Sequence, residues 1–284
     1  MMNISVIGAG YVGLITGIGF AKLNHQVSIV DLNDDLIKNL NENRPPFYEP
    51  ELVNYLNDSN IRNNLFFSTS YQKSINENTD IVFVCVQTPT DPDTGKTKTD
   101  YISSVLTELK KIESFNFIIC IKSTIKATLV EKISNEIDLD YKKIIFNPEF
   151  LREGSAFYDF FNPDRIVIGG SDQKGLNQCT ELYESFDCEK IITDSNSSQM
   201  IKYLSNTYLA MRLSFVNETY RLVSEFNGNP EEVLNAIGKD KRIGNDYFRP
   251  SPGWGGSCFP KDVKEVISSF PVSYTHLRAH ETHE

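Results

Sequence analysis

The sequence predicts an α/β protein: a doubly wound parallel sheet, then a helical domain entered through one long helix. Three observations predict it. Short, continuously apolar runs alternate with helix-like stretches from residue 3 to about residue 193, the pattern of parallel strands buried on both faces. The first of these runs leads straight into Gly8-x-Gly10-x-x-Gly13. Beyond Asp194 the alternation stops, and residues 196–227 contain neither glycine nor proline until Gly228 and Pro230 close the stretch.

In chain order, Asn3–Ile7 reads as a strand, a helix follows the glycines to about Lys22, and a second strand, Val27–Val30, ends at Asp31. Strand, glycine turn, helix, strand and acid form the Rossmann-type dinucleotide arrangement. Gly8 makes the turn, Gly10 lets a pyrophosphate approach the backbone, and Gly13 lets the helix pack on the strand. Asp31 accepts hydrogen bonds from the ribose and repels a 2′-phosphate, so the cofactor expected is NAD rather than NADP.

Further strands are expected at Leu65–Phe67, Ile81–Val86, Phe117–Ile121, Lys143–Phe146 and Arg165–Ile168, with helices at Ser103–Lys111 and Ala127–Ile137 among those between them. Ligands on such sheets bind at the carboxyl ends of the strands. The loops after Val86 and Ile121 are hydroxyl-rich there, with Thr88 in one and Ser123 and Thr124 in the other. Helix caps or turn hydroxyls account for them equally well. In NPEFLREG, residues 147–154, Glu149 and Glu153 flank Arg152 at the same edge; a solvated salt bridge and a ligand contact are both open.

The long helix carries Lys202 and Asn206, four apart and so on one face, and a helix of this length suits a domain junction or a dimer seam. A shorter helix, 230–237, precedes Arg242. The stretch GWGGSCFPKD then delivers Cys258 out of three glycines (Gly253, Gly255, Gly256) to a helix expected over 259–268, with Pro260 and Asp262 in its first turn. A helix N-terminus with Lys261 beside it favours the thiolate; a buried cysteine next to a structural turn is the other reading. Of the remaining cysteines, Cys85 and Cys120 lie in apolar strand-like runs, and Cys179 and Cys188 carry no motif.

The chain has 284 residues, enough for two domains, and its formal net charge of −10 speaks against nucleic-acid or anionic-membrane surfaces. No apolar run approaches the roughly 20 residues of a membrane span, and no signal peptide is read before the first strand. Five cysteines without framework spacing indicate a reducing, cytoplasmic setting. The histidines of HLRAHETH, near the C-terminus, lack a carboxylate partner in a defined fold, so no metal site is expected.

GAGYVG, QTPT, KST, NPEFLREG, KYLSNTYLAMRLSFVNE and GWGGSCFPKD occur in that order, and together they resemble the nucleotide-sugar dehydrogenases, most closely the UDP-glucose 6-dehydrogenases. The resemblance covers residues 1 to about 270. It implies oxidation of a sugar C6 alcohol to a carboxylate with two NAD⁺, with Cys258 forming first a thiohemiacetal and then a thioester. By the same resemblance Lys202 and Asn206 stabilise oxyanions, Asp262 holds a water or lysine, and Thr124 with Glu149 or Glu153 positions the hydrolytic water. Gly8, Gly10, Tyr11, Val12, Gly13, Asp31, Thr88, Ser123, Thr124 and Glu153 are implied cofactor contacts. Glu149, Phe150, Leu151, Arg152, Lys202, Asn206, Arg242, Tyr247, Arg249 and Gly255 are implied substrate contacts, UDP-glucose being the substrate.

The expected organisation is a Rossmann domain over 1–193, a central helical, dimer-forming domain over 194–270, and a tail over 271–284 outside the family pattern. Family members continue into a UDP-binding domain that is expected to be absent here, leaving an open site, weak NAD binding and poor turnover. Leu36 also stands where the family usually has a basic residue, which removes one expected phosphate contact. GDP-mannose or UDP-N-acetylmannosamine as substrate, or a non-catalytic NAD-binding dimerisation module, are the alternatives.

Overall fold

The computed structural model describes residues 1–112 and 116–269; the expected tail at 271–284, with its histidines, lies outside them. The chain divides into two compact units. The first comprises Met1–Thr88 and Thr99–Lys202, and the second Pro89–Lys98 and the chain from Tyr203 onward.

The first unit is built on an eight-stranded sheet. Its strands are β1 (Asn3–Ile7), β2 (Gln26–Val30), β3 (Leu65–Ser68), β4 (Ile81–Val84), β5 (Ile118–Ile121), β6 (Ile144–Phe146), β7 (Arg165–Gly169) and β8 (Glu189–Thr193), in the order β3-β2-β1-β4-β5-β6-β7-β8. Apolar residues at every position, rather than every second one, are what a sheet covered on both faces requires. Along β4, Ile81 and Phe83 enter one core with Leu14, Ile18 and Phe20, while Val82 and Val84 enter the other with Leu106, Ile119 and Val130. Each such buried side chain contributes roughly 1.5–3 kcal/mol relative to exposure, so both layers are held by many small terms.

Strands β1 to β6 are parallel, and the order reverses between β1 and β4, the switch point beside whose carboxyl ends such sheets bind ligands. Two features depart from the expected all-parallel sheet. β7 meets β6 antiparallel through the single pair Phe146–Gly169, and β8 then runs parallel to β7. β8 was not expected: its residues are half-exposed at the sheet edge, so it lacks the apolar run that marks the others.

The long helix runs Ser195–Glu225, and the boundary between units falls within it, after Lys202. In the second unit it is accompanied by Pro230–Gly238, whose Asn229 caps two backbone N–H groups with proline at the first turn. A third helix is Phe259–Ser269. Val216, Leu234 and Phe248 form this unit's small core. The segment after β4 also belongs here. Thr90 bridges Thr97, and Glu265, almost wholly buried, accepts hydrogen bonds from Thr97 N (2.5 Å) and Thr97 Oγ1 (2.7 Å). Among the described residues no helix is long and apolar enough to cross a membrane, and no group of three His, Cys, Asp or Glu could hold a metal.

Candidate active site

In the sheet unit, the loop after β1 turns at Gly8, whose φ is +99° and where a Cβ would meet Cys85 O at 2.7 Å. At Gly13 a Cβ would meet Gly8 O at 1.9 Å, so the first helix (Tyr11–Lys22) lies against the turn only because glycine is there. Gly10 differs. A Cβ there would meet nothing within 4 Å, its backbone is extended, and it starts the helix without a side-chain cap or a first-turn acid. The protein's own packing does not need glycine at this position. The open space beside uncapped N–H groups fits a phosphate diester, so these residues suit the pyrophosphate of a dinucleotide.

Asp31, at the end of β2, has Oδ2 on Ala9 N (2.9 Å) and Oδ1 on Asn33 N (3.0 Å), which fixes its carboxylate beside the turn. Thr88 donates to Thr124 O (2.9 Å) and Ser123 to Val86 O (2.6 Å). These hydroxyls therefore tie the loops after β4 and β5 to each other, while their oxygens retain acceptor capacity. Val12 is half-buried in the glycine turn's helix.

The loop after β6 separates its two carboxylates. Glu149 is buried and its Oε1 lies 3.0 Å from Lys202 Nζ, itself 3% exposed. Leu151 N donates to Glu149 Oε2 at 2.7 Å. Burial alone would push the Glu149 carboxyl up; the Lys202 ammonium, the Leu151 N–H and the more distant Lys122 ammonium outweigh it and hold the carboxyl below its ordinary value. Glu153 is exposed. The Arg152 guanidinium pairs with Asp159 at 2.6 Å, a residue one helical segment downstream. The Phe150 ring has the Arg165 guanidinium 4.0 Å from its centre and Lys202 Nζ at 5.3 Å, so it packs between polar heads rather than in hydrocarbon.

In the helical unit, Cys258 is half-exposed and immediately precedes its helix, with Asp262 N donating to Cys258 O at 3.0 Å. Asp262 is fully buried, accepting from Asn206 Nδ2 at 2.6 Å and pairing with Lys261 Nζ at 2.6 Å. Lys261, expected beside the sulfur, thus directs its ammonium to Asp262. Arg242 is exposed and pairs with Asp240 (2.6 Å), Tyr247 adopts φ +56°, and Arg249 and Gly255 are exposed. By contrast the Cys85 thiol is sealed in the core, and burial pushes it up to about 12, as an inert structural thiol should be.

Sequence reasoning assigned no role to two buried charged residues. Lys122 is buried with its ammonium on Asn147 Oδ1 (3.0 Å) and near Tyr183 OH (3.4 Å). Glu49, 3% exposed, receives Tyr11 OH, Gly154 N and Ala156 N. Lys122 opens the KST stretch directly after β5, where attention fell on the hydroxyls beside it, and Glu49 lies in the proline-bearing run PFYEP, which carries no motif.

The sheet order, the glycine turn and the carboxyl-edge loops define a dinucleotide-binding protein of the dehydrogenase type. Residues 2–187 match the NAD binding domain of the UDP-glucose/GDP-mannose dehydrogenase family and residues 196–282 its central domain. The chain belongs to that family. It is 36% identical over 274 residues to the UDP-glucose 6-dehydrogenase YwqF of Bacillus subtilis, covering 94% of this chain and 61% of that protein. A UDP-glucose dehydrogenase structure from Pyrobaculum islandicum superposes with TM-score 0.88 at 35% identity, covering 97% of this chain and 65% of that one. A GDP-mannose dehydrogenase structure from Pseudomonas aeruginosa gives TM-score 0.80 at 28% identity, covering 98% and 67%. The chain therefore spans about three fifths of the length of the curated relatives it matches.

Proposed function

We propose that this chain carries the cofactor-binding and catalytic residues of an NAD-dependent UDP-glucose 6-dehydrogenase that forms UDP-glucuronate. The observation that supports this most is the arrangement at the cysteine helix: a half-exposed thiol at its start, and a buried aspartate one turn later holding an amide and an ammonium. A one-step alcohol oxidation needs no such cysteine, whereas a four-electron oxidation needs a covalent hold on the aldehyde between the two steps.

NAD⁺, when bound, would supply the hydride acceptor for each of two rounds of oxidation at C6. In the first, the hydroxyl proton leaves to a water or lysine held by Asp262. The Cys258 sulfur adds to the aldehyde carbon, and the carbonyl oxygen takes up a proton to give the thiohemiacetal. After the second hydride leaves, that oxygen loses its proton and the carbon is a thioester. Water, positioned by Thr124 with Glu149 or Glu153, then adds; one of its protons passes to the glutamate carboxylate, the thiolate departs, and the sugar carboxyl loses the second proton to solvent. Lys202 and Asn206 donate to the oxygen whenever it is anionic, the kind of donor whose loss costs about 3 kcal/mol of transition-state stabilisation. Gly8, Gly10, Tyr11, Val12, Gly13, Asp31, Thr88, Ser123 and Glu153 hold the cofactor. Phe150, Leu151, Arg152, Arg242, Tyr247, Arg249 and Gly255 contact the nucleotide sugar.

A second copy of the chain is the partner this reading assigns to the long helix. Leu204, Tyr208, Met211, Phe215, Leu222 and Phe226 are exposed along it at alternating spacings of four and three residues or their sum, the repeat of a helix seam. The cysteines remain thiols, in keeping with a cytoplasmic setting.

The test is product analysis after incubating the chain with NAD⁺ and, in parallel, UDP-glucose, GDP-mannose and UDP-N-acetylmannosamine. UDP-glucuronate as the dominant product supports the proposal. A faster uronate from either other sugar, or cofactor binding with no sugar binding, contradicts it.

A further inference from the structure

Glu49 lies in the loop between the second strand's helix (Asp34–Asn41) and a short helix at Leu52–Asn57. Its carboxylate is 3% exposed, yet every recorded partner is neutral. Oε2 receives Tyr11 OH at 2.8 Å and Gly154 N at 2.8 Å, and Oε1 receives Ala156 N at 2.8 Å. Tyr11 OH also stands 3.1 Å from Arg152 O, and its single proton is directed to the nearer, charged acceptor. Burial and the adjacent Glu49 both push the Tyr11 phenol up, so it stays protonated and remains a donor.

Tyr11 is the first residue of the helix that follows the glycine turn. Gly154 lies at the end of the loop that begins after β6 and carries Glu149, and Ala156 begins the helix that follows it. One buried carboxylate therefore fastens the start of the dinucleotide helix to the far end of the acid-bearing loop. These segments are far apart in sequence, with Glu49 separated from Ala156 by 107 residues.

The position demands a carboxylate. An amide would direct its NH₂ either at Ala156 N–H or at Gly154 N–H together with the Tyr11 hydroxyl, and donor would then face donor in both orientations. An uncompensated buried donor costs more than the hydrogen bond itself gains.

We propose that Glu49 is a positioning residue for the cofactor site: acting through Tyr11 and the Gly154 and Ala156 amides, it sets the first turn of the dinucleotide helix against the 149–156 loop. This rests on the NAD-binding reading above. Glu49 touches neither cofactor nor substrate in this account.

The experiment measures NAD affinity by calorimetry for the parent chain, Tyr11→Phe, Glu49→Gln and the double variant, with peptide-level hydrogen exchange over residues 149–156 in the absence of nucleotide. Glu49→Gln is expected to weaken NAD binding about tenfold, the scale of one charge-assisted hydrogen bond. Tyr11→Phe should weaken it by a smaller factor, and the double variant should bind like Glu49→Gln alone, because both changes break one linkage. Exchange over 149–156 should rise in both single variants. Parent-like NAD affinity in Tyr11→Phe, fully additive losses in the double variant, or parent-like exchange in the single variants would each overturn the proposal. Should Glu49→Gln not fold, exchange over 149–156 in Tyr11→Phe decides it, because Tyr11 is itself placed among the cofactor contacts and a change in affinity alone would not separate the two roles. A parent chain that fails to bind NAD contradicts the functional reading instead, and the exchange data still judge the linkage.

Discussion

Lys202 Nζ and Glu149 Oε1 form a 3.0 Å ion pair with both side chains almost sealed from water. Glu149 follows the sixth strand and Lys202 lies on the long helix, so the pair joins two elements that no local pattern connects. Removing the ammonium leaves a buried, uncompensated carboxylate. Lys202→Met should lower stability by about 3–5 kcal/mol, whereas the double change Lys202→Met with Glu149→Leu should recover much of it. Urea unfolding of the two variants checks this; equal midpoints for the single and double variants would contradict it.

The same pair sets an acid limb to stability. The Glu149 carboxyl is held below its ordinary value in the folded chain despite burial. Its contribution is therefore complete above the unfolded carboxylate pKa of about 4.3 and is lost as pH falls through the lower folded value. Melting temperature followed from pH 7 downward should fall more steeply in the parent than in Glu149→Gln over that acid window. Parallel curves would show that the ion pair is energetically silent.

Two glycines of one turn should behave oppositely. At Gly13 a Cβ would sit 1.9 Å from a backbone oxygen, so Gly13→Ala should cost about 2 kcal/mol or more. At Gly10 a Cβ meets no protein atom and the backbone is extended, so Gly10→Ala should leave the melting temperature nearly unchanged. It should nevertheless weaken NAD about tenfold by occupying the room left for phosphate. Unchanged NAD affinity in Gly10→Ala would remove the strongest support for that cradle.

Asp262 is fully buried, with Asn206 and Lys261 as its partners. Asp262→Asn keeps the shape but removes a charged acceptor, and should cost about 1.5–3 kcal/mol, read from the urea midpoint. No shift in midpoint would mean that the contact carries no stability.

The exposed apolar residues of the long helix should associate copies of the chain. Met211→Glu with Phe215→Glu should move the sedimentation profile from dimer to monomer without changing helix content. A parent chain that sediments as a monomer at high concentration would contradict the assignment.

The sequence exposed those elements whose physics is local. The glycine turn, the doubly buried strands and the long helix between Asp194 and Gly228 were legible because each rests on a short apolar run or on the absence of a breaker. The observed Ser195–Glu225, Pro230–Gly238 and Phe259–Ser269 follow those signals within a residue or two. What could not be read was pairing at a distance. Glu265 meets Thr97 across 168 residues, and the 89–98 excursion joins the helical unit although it interrupts the sheet unit in sequence. Arg152 binds Asp159, a pairing that the spacing of NPEFLREG does not reveal. β8 was missed because a half-exposed edge strand needs no continuous apolar run, and the reversed β7 because strand direction leaves no mark in hydropathy.

The most direct measurement of the central claim is product analysis paired with peptide mass spectrometry after incubation with NAD⁺ and UDP-glucose. The account expects a sugar adduct on the Cys258 peptide in the parent chain, and in Cys258→Ser, NAD affinity retained with UDP-glucuronate formation abolished. UDP-glucuronate formed by Cys258→Ser at the parent rate would contradict the account.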